Sequence, residues 1–292
     1  MVDRFYHTAE PTLFREALGQ TEARTGFQAL MIEKDYYCSL VLAALFQNQT
    51  DLVFKGGTCL SKVYTDFYRM SEDLDFAISI PEEVPRNQRR SKIKPIKNRF
   101  EALPASIPGL STSTPLTGHF KNQQYIGVLG YSSVVLETKA SIKVEIALRE
   151  PLLQTAESVH AKTLAENPFI PGQSIVPEYQ VQSMSLGEIY AEKFRAALTR
   201  REPAIRDFFD LSPAVLDQLS LDLHSNDFAA MVRAKLKVTG NEPVNVSSSR
   251  REALQQQVGT HLRPVLRPAD YSQFNLDVAF ARVVEMAALL GE

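Results

Sequence analysis

The stretch Leu52-Val53-Phe54-Lys55-Gly56-Gly57-Thr58-Cys59-Leu60-Ser61-Lys62-Val63-Tyr64, followed shortly by Ser71-Glu72-Asp73-Leu74-Asp75-Phe76-Ala77-Ile78, decides how this sequence folds. Leu52, Val53 and Phe54 form a short apolar strand that runs directly into two glycines. Beyond them Leu60, Val63, Tyr64 and Phe67 fall at i, i+3, i+4 and i+7, the spacing of an amphipathic helix. From Asp73 to Ile78 polar and apolar residues alternate. That period of two reads as a half-buried strand, with Asp73 and Asp75 on one face and Leu74, Phe76 and Ile78 on the other.

Working outward, residues 10–46 read as helical, with Ile32, Tyr36, Leu40 and Ala43 on one face. Residues 81–115 are polar and punctuated by proline, with a helix expected near 87–102. Strands are expected at 124–136 and 139–149, as antiparallel neighbours, and another near 174–184. From Ser185 the pattern turns helical. Ser185 with Glu188 makes a capping box ahead of the apolar stripe Leu186, Ile189, Tyr190 and Ala197. A further helix is expected to start at Pro203, another near the second capping box Ser249–Glu252, and a last one to bury Leu276, Phe280, Val283, Ala287 and Leu290. No internal repeat is visible. The expectation is an α+β chain with a mixed α/β domain over 1–184 and a helical domain over 185–292.

Composition is that of a globular protein, with 44% hydrophobic and 23% charged residues in 292. A formal charge of −2 leaves the question of a polyanionic partner to local charge distribution. Cys38 and Cys59 sit among apolar residues and read as buried thiols of a reducing compartment. The five histidines show no metal-ligand spacing. The opening MVDRFYHTAEPTLF lacks an apolar signal core, and the run Leu40 to Phe46 is far too short to span a membrane. These features read as a cytoplasmic protein with no membrane partner.

Three features carry chemistry: a strand ending in Gly-Gly, the paired aspartates, and a later strand with one carboxylate. Singly each has a bland explanation, as a tight turn or a solvated sheet edge. In combination they match the needs of nucleotidyl transfer, which uses two divalent cations near the α-phosphate. Hard cations such as Mg²⁺ take oxygen ligands, a few carboxylates plus substrate phosphates. Backbone N–H groups of Gly56, Gly57 and Thr58, at the start of a helix, would cradle phosphates. In Ser141-Ile142-Lys143-Val144-Glu145-Ile146-Ala147-Leu148 the polar face presents Lys143 and Glu145, which makes Glu145 the candidate third carboxylate.

The segments 54–64 and 71–76 resemble the AbiEii/AbiGii nucleotidyltransferase toxin family, part of the DNA polymerase β-like superfamily. Ile32-Glu33-Lys34-Asp35-Tyr36, Glu188-Ile189-Tyr190-Ala191-Glu192-Lys193 and Arg206-Asp207-Phe208-Phe209-Asp210-Leu211 are similar to further family blocks. The resemblance covers about residues 30–211. It implies a polymerase β-like mixed-sheet domain with a helical C-terminal domain completing the cleft, and Mg²⁺-dependent (or Mn²⁺-dependent) transfer of a nucleoside monophosphate from an NTP, releasing pyrophosphate. The implied acceptor is RNA, the 3′ end of tRNA, with translation blocked; the setting is a toxin–antitoxin or phage-defence pair with a cognate antitoxin. By motif, Gly57, Thr58 and Ser71 would contact the triphosphate, Asp73 and Asp75 would bind metal, and Lys193 and Asp207 would complete the site. The superfamily's third acid is often Asp, and Glu145 is one methylene longer.

Two readings of the residues stand beside the resemblance. Lys193 falls on an apolar stripe, where a buried ammonium needs a counter-charge that a triphosphate would supply, or else snorkels to water. Asp210 lies four residues after Arg206 and could pair with it. The acid-free run Arg86, Arg89, Arg90, Lys92, Lys94, Lys97 and Arg99 is either an electrostatic footprint for RNA, widened by Arg195, Arg200 and Arg201, or a solvated helix face. No aromatic lies at hand within the run for base stacking. The alternatives to RNA are transfer to a protein or small molecule, or nucleotide or RNA binding without catalysis. A P-loop NTPase is a poorer alternative, because Gly-Gly-Thr-Cys-Leu-Ser-Lys lacks the GxxxxGK[ST] spacing.

Overall fold

Proline and glycine punctuate the first helices where their backbone preferences dictate. A computed structural model describes residues 5–48, 50–170 and 172–291 of the chain. After a single turn, α1 (Tyr6–Ala9), helix α2 (Pro11–Thr25) starts with proline at its first position and stops at Gly26, whose φ of +77° only glycine adopts without strain. The largely buried α3 (Ala29–Phe46) follows. Then come β1 (Val53–Lys55), α4 (Gly56–Cys59), β2 (Leu74–Ala77), α5 (Arg86–Ser106), β3 (Leu110–His119), β4 (Gln124–Ser132), β5 (Lys139–Ala147), β6 (Glu157–Ala161) and β7 (Tyr179–Ser183).

The strands form one mixed sheet in the order β3-β4-β5-β2-β1-β7-β6. Its inward face carries Phe54, Phe76, Leu74, Ile142, Val144 and Ile146, all buried, with α5 packed against β3 and α3 against β7. The opposite face carries Lys55, Asp75, Lys143 and Glu145, each only partly covered. Alternation along each strand therefore separates an apolar layer from a polar working surface. The expected antiparallel pairing of the strands near 124–136 and 139–149 is observed between β4 and β5.

The helix after the glycines departs from its amphipathic reading. α4 passes into a π turn over Leu60–Tyr64, and the Thr65 amide and hydroxyl both return to the Leu60 carbonyl, at 3.0 and 2.8 Å, closing it. Asp66 and Phe67 then adopt φ of +49° and +58°, so Phe67 lies outside the helix and the chain doubles back toward β2. β3 was not expected. It is an edge strand rich in Ser and Thr, it carries Pro115, and its register slips twice, which erases the period-two signal.

Residues Ser185–Glu292 form a second compact unit, distinct from Met1–Met184. It contains α6 (Leu186–Thr199), α7 (Ile205–Asp210), α8 (Pro213–Leu216), α9 (Asn226–Lys237), α10 (Ser248–Gln257), α11 (Pro268–Gln273) and α12 (Leu276–Leu290). α6 packs on α9, α7 and α12. Ser185 caps α6 by accepting from the Glu188 amide, as its sequence requires. Two expected starts move. α7 begins at Ile205 rather than Pro203, since the Pro203 carbonyl is taken by the Gln257 amide group at 2.8 Å. The α10 cap is Ser247 rather than Ser249, because Ser247 accepts from the Arg250 amide. Among the described residues no helix is long and apolar enough to cross a membrane.

Candidate active site

Strand register sets the site. β1 runs antiparallel to β2 with Lys55 opposite Asp75, and β2 runs parallel to β5 with Asp75 opposite Glu145. Adjacent strands lie about 4.8 Å apart, so Lys55, Asp75 and Glu145 stand abreast on the open face, with Asp73 just ahead of β2. The two acids differ electrostatically. Burial, then the charge of Glu145, push the Asp75 carboxyl up to about 6, against the pull of Lys55. Burial would also raise Glu145, but the Lys143 ammonium at 2.8 Å and the Gln124 amide at 2.5 Å hold it below the ordinary value. Glu145 is satisfied by its two partners, whereas burial disfavours the ionised form of Asp75.

The glycines are there because side chains do not fit. Gly56 has φ +77°, and a Cβ on it would stand 2.6 Å from Asp75 Oδ2 and 3.0 Å from Asp75 Cβ. A Cβ on Gly57 would collide with the Arg69 guanidinium and lie 3.2 Å from Ser71 Oγ. The turn thus presses its backbone onto the aspartate strand and Ser71. Thr58 is buried, and its hydroxyl donates to the Asp73 carbonyl at 2.5 Å, so its side chain fastens the turn to β2.

The block around Glu33 supports this arrangement from behind. Glu33 accepts from the Ser133 hydroxyl and, at 2.7 Å, from the Val134 amide. Lys34 reaches Glu72 at 3.6 Å. Asp35 pairs at 2.6 Å with Lys62, which is wholly buried in the π turn and also donates to Ser39 Oγ at 2.7 Å and the Lys162 carbonyl at 3.2 Å. The helix that carries Gly56 and Gly57 is therefore pinned through Lys62 to α3.

In the helical unit Lys193 is buried, and its counter-charges are protein groups: Asp207 at 3.1 Å and Asp210 at 2.5 Å. Asp207, a candidate for positioning Lys193, does contact it, and protein carboxylates supply counter-charge that a triphosphate was expected to give. Arg200 also contacts Asp207, at 2.9 Å. Burial works to raise the Asp207 carboxyl, yet Lys193 and Arg200 together hold it below its ordinary value. Arg195 donates to Asn241 at 3.1 Å. Arg195 is thus engaged within the helical unit, while Arg200, though paired, stays exposed.

The basic run lies on α5, and its members divide. Arg89 is buried and donates to the carbonyls of Leu148, Val84 and Glu82, which makes it a structural residue. Arg99 reaches the Leu45 carbonyl at 3.1 Å, and Lys92 pairs with Asp51 at 2.8 Å. Arg86, Arg90 and Lys94 are exposed at i, i+4 and i+8, and Lys97 is half-buried. The residues that the motif reading missed are Lys55, Lys143 and Gln124, which surround the acids, and Arg69 beneath Gly57. Lys143 was visible on the polar face beside Glu145; the others are brought in only by cross-strand register and the turn at Asp66–Phe67.

The donor set suits Mg²⁺. It consists of hard oxygens, those of Asp75 and of Asp73 just ahead of it, which a cation would keep ionised. Among the described residues no three His, Cys, Asp or Glu side chains are already gathered as a metal-binding group. Two carboxylates completed by substrate phosphates are the usual mode for this ion.

A family model described as "Nucleotidyl transferase AbiEii toxin, Type IV TA system" matches residues 40–282. A search of curated proteins finds no match. Among solved structures, JHP933 from Helicobacter pylori aligns at 16% identity over 90% of this chain and 93% of its own, with a TM-score of 0.51. A candidate nucleotidyltransferase from H. pylori aligns at 17% identity over 88% of this chain and 93% of its own, with a TM-score of 0.49. The JHP933 likeness supports the α+β mixed-sheet fold.

Proposed function

The chain belongs to the AbiEii nucleotidyltransferase toxin family of type IV toxin–antitoxin systems, and on that premise we propose that it transfers a nucleoside monophosphate from an NTP to the 3′ end of an RNA acceptor, tRNA, in a Mg²⁺-dependent reaction that blocks translation. Nucleotidyl transfer itself follows from the family; metal and acceptor are the proposal. The observation that supports it most is the row Lys55–Asp75–Glu145, with side-chain-free Gly56 against Asp75.

In this reading the acceptor hydroxyl gives its proton to a carboxylate of the site as its oxygen attacks the α-phosphorus, the bond to the bridging oxygen of the β-phosphate breaks, and pyrophosphate leaves. Asp73 and Asp75 would hold the metal, and Glu145 would be the third carboxylate, kept ionised by Lys143 and oriented by Gln124. When bound, Mg²⁺ activates the attacking oxygen and neutralises charge that develops on the phosphates. Backbone N–H groups of Gly56, Gly57 and Thr58, with the Ser71 hydroxyl, bind the triphosphate. Lys193 and Asp207 remain the family-motif candidates of the helical unit, where they pair at 3.1 Å. The family implies an antitoxin partner and a nucleotide substrate.

The test is incubation of the purified protein with Mg²⁺, total RNA and each α-labelled NTP in turn. Labelled tRNA, lost in Asp75→Ala together with growth arrest on expression, is expected. If no RNA is labelled with any of the four nucleotides, the RNA acceptor must be given up. A labelled protein band or small molecule would redirect the assignment.

A further inference from the structure

The turn between β3 and β4 displays an aromatic ring that nothing in the fold uses. Phe120 is 76% exposed, the most exposed of the large hydrophobic residues described. One exposed phenylalanine is unremarkable on its own. This one sits on a turn built at some conformational cost: Phe120, Lys121 and Asn122 have φ of +47°, +56° and +65°, and none of the three is glycine.

The turn is held in place by named contacts. The Gln123 amide donates to the Phe120 carbonyl at 3.1 Å. Asn122 is buried against Gly118, where a Cβ would collide with its side-chain oxygen. The Leu148 amide donates to the Gln123 carbonyl at 2.7 Å, and the Leu148 carbonyl accepts from Arg89 at 3.1 Å. One residue at the end of β5 therefore ties the aromatic turn to the basic helix. The following residue, Gln124, donates to Glu145, which faces Asp75 across the strands.

The surroundings are cationic. His119 and Lys121 flank the ring and are exposed, and Arg86, Arg90 and Lys94 form the exposed row of α5. A rigid aromatic face beside a line of cations is the pattern that binds single-stranded nucleic acid: a base stacks on the ring while cations track the phosphates. α5 lacks an aromatic for this; Phe120 supplies it from a turn remote in sequence.

We propose that Phe120 is the stacking platform for a nucleobase near the single-stranded end of the RNA acceptor, with Lys121, Arg86, Arg90 and Lys94 holding the adjoining phosphates. The inference rests on the acceptor being RNA, and the experiment separates the two. The chain contains no tryptophan, so Phe120→Trp introduces a unique fluorophore that reports binding without turnover. Titration with a short single-stranded oligoribonucleotide should quench the F120W indole saturably and in a salt-dependent way, and a blunt RNA duplex should not. In labelling assays F120A should raise KM for RNA on the order of tenfold with KM for the NTP unchanged. F120Y should restore it, and F120L should not.

Quenching without any labelling by the wild-type protein would support the platform while removing the RNA-acceptor reading of catalysis. Labelling of RNA by F120W with an unresponsive indole would overturn the platform and leave the reaction standing. An F120L enzyme equal to wild type would also overturn it, as would an indole that responds to a protein partner and not to RNA.

Discussion

Gly56→Ala should separate activity from folding, and Gly19→Ala is its internal control. At Gly56 the backbone sits at φ +77°, and a new Cβ would stand 2.6 Å from Asp75 Oδ2 and 3.0 Å from Asp75 Cβ. Left-handed backbone costs a non-glycine residue roughly 1–2 kcal/mol, and overpacking adds about 1–3 kcal/mol. The expected loss is therefore about 2–5 kcal/mol, or a Tm fall of roughly 4–20 °C for a unit of this size. To relieve the contact Asp75 must turn away, and a misplacement of about 1 Å at a reacting centre costs on the order of a hundredfold in rate. Gly19 is exposed within α2 with nothing within 4 Å of its would-be Cβ. The same substitution there should stabilise by roughly 0.5–1 kcal/mol and leave turnover untouched. Circular-dichroism melts and nucleotide incorporation below the melting range measure both. A Gly56→Ala enzyme within threefold of wild-type kcat would refute the argument that this turn positions Asp75.

Other consequences can be checked alongside. Asp75 has a folded pKa above its unfolded value, so its ionised form subtracts stability as pH rises from about 4 to about 6; Asp75→Asn should abolish turnover yet add about 2–3 kcal/mol of stability at pH 7.5 and so raise Tm, and a lower Tm would contradict this. Mg²⁺ should raise the Tm of wild type and not of Asp75→Asn. Lys62→Met strands the buried Asp35 carboxylate and should cost about 3–5 kcal/mol in urea titration, part of it recovered by adding Asp35→Asn; a neutral single variant would mean that the pair is not holding the turn. His7 is depressed by burial, although its ring bonds to the Pro108 carbonyl. The unfolded chain therefore takes up protons first as pH falls below about 6.5, and stability should decline there, less so in His7→Gln. Arg90→Ala should leave Tm unchanged while reducing the salt slope of RNA binding by about 1. Arg89→Ala should instead destabilise by about 1–3 kcal/mol through its orphaned carbonyls; equal behaviour of the two would undo the division of the basic run.

What could be read from sequence was what is local. The Gly-Gly turn, the alternating aspartate strand and the Ser185 cap each declare themselves within ten residues, and the structure forms β1, β2 and α6 there. Arg89 was also legible in principle: Arg89, Ile93, Ile96, Phe100 and Leu103 share the buried face of α5 at helical spacing, so the arginine lies on the apolar stripe. β3 was not legible, since an edge strand with two register slips and a proline keeps no period. The company around the acids was hidden for another reason. Gln124 and Lys55 reach Glu145 and Asp75 only through pairing between strands, which no window of consecutive residues contains. The partners of Lys193 lay in the very block already singled out, at Asp207 and Asp210.

The strand order has a consequence in time. Asp75 meets Glu145 only after β5 has been made, and β1 gains its outer neighbour only when Ser183 settles beside Phe54. Pairings between such distant parts of a chain form late, because long loops must close before any contact rewards them. Until then the emerging chain has Asp75 without Glu145 beside it and β1 without β7. Prematurely ended chains, lacking either β5 or β7, hold the glycines and aspartates without the surface that arms them.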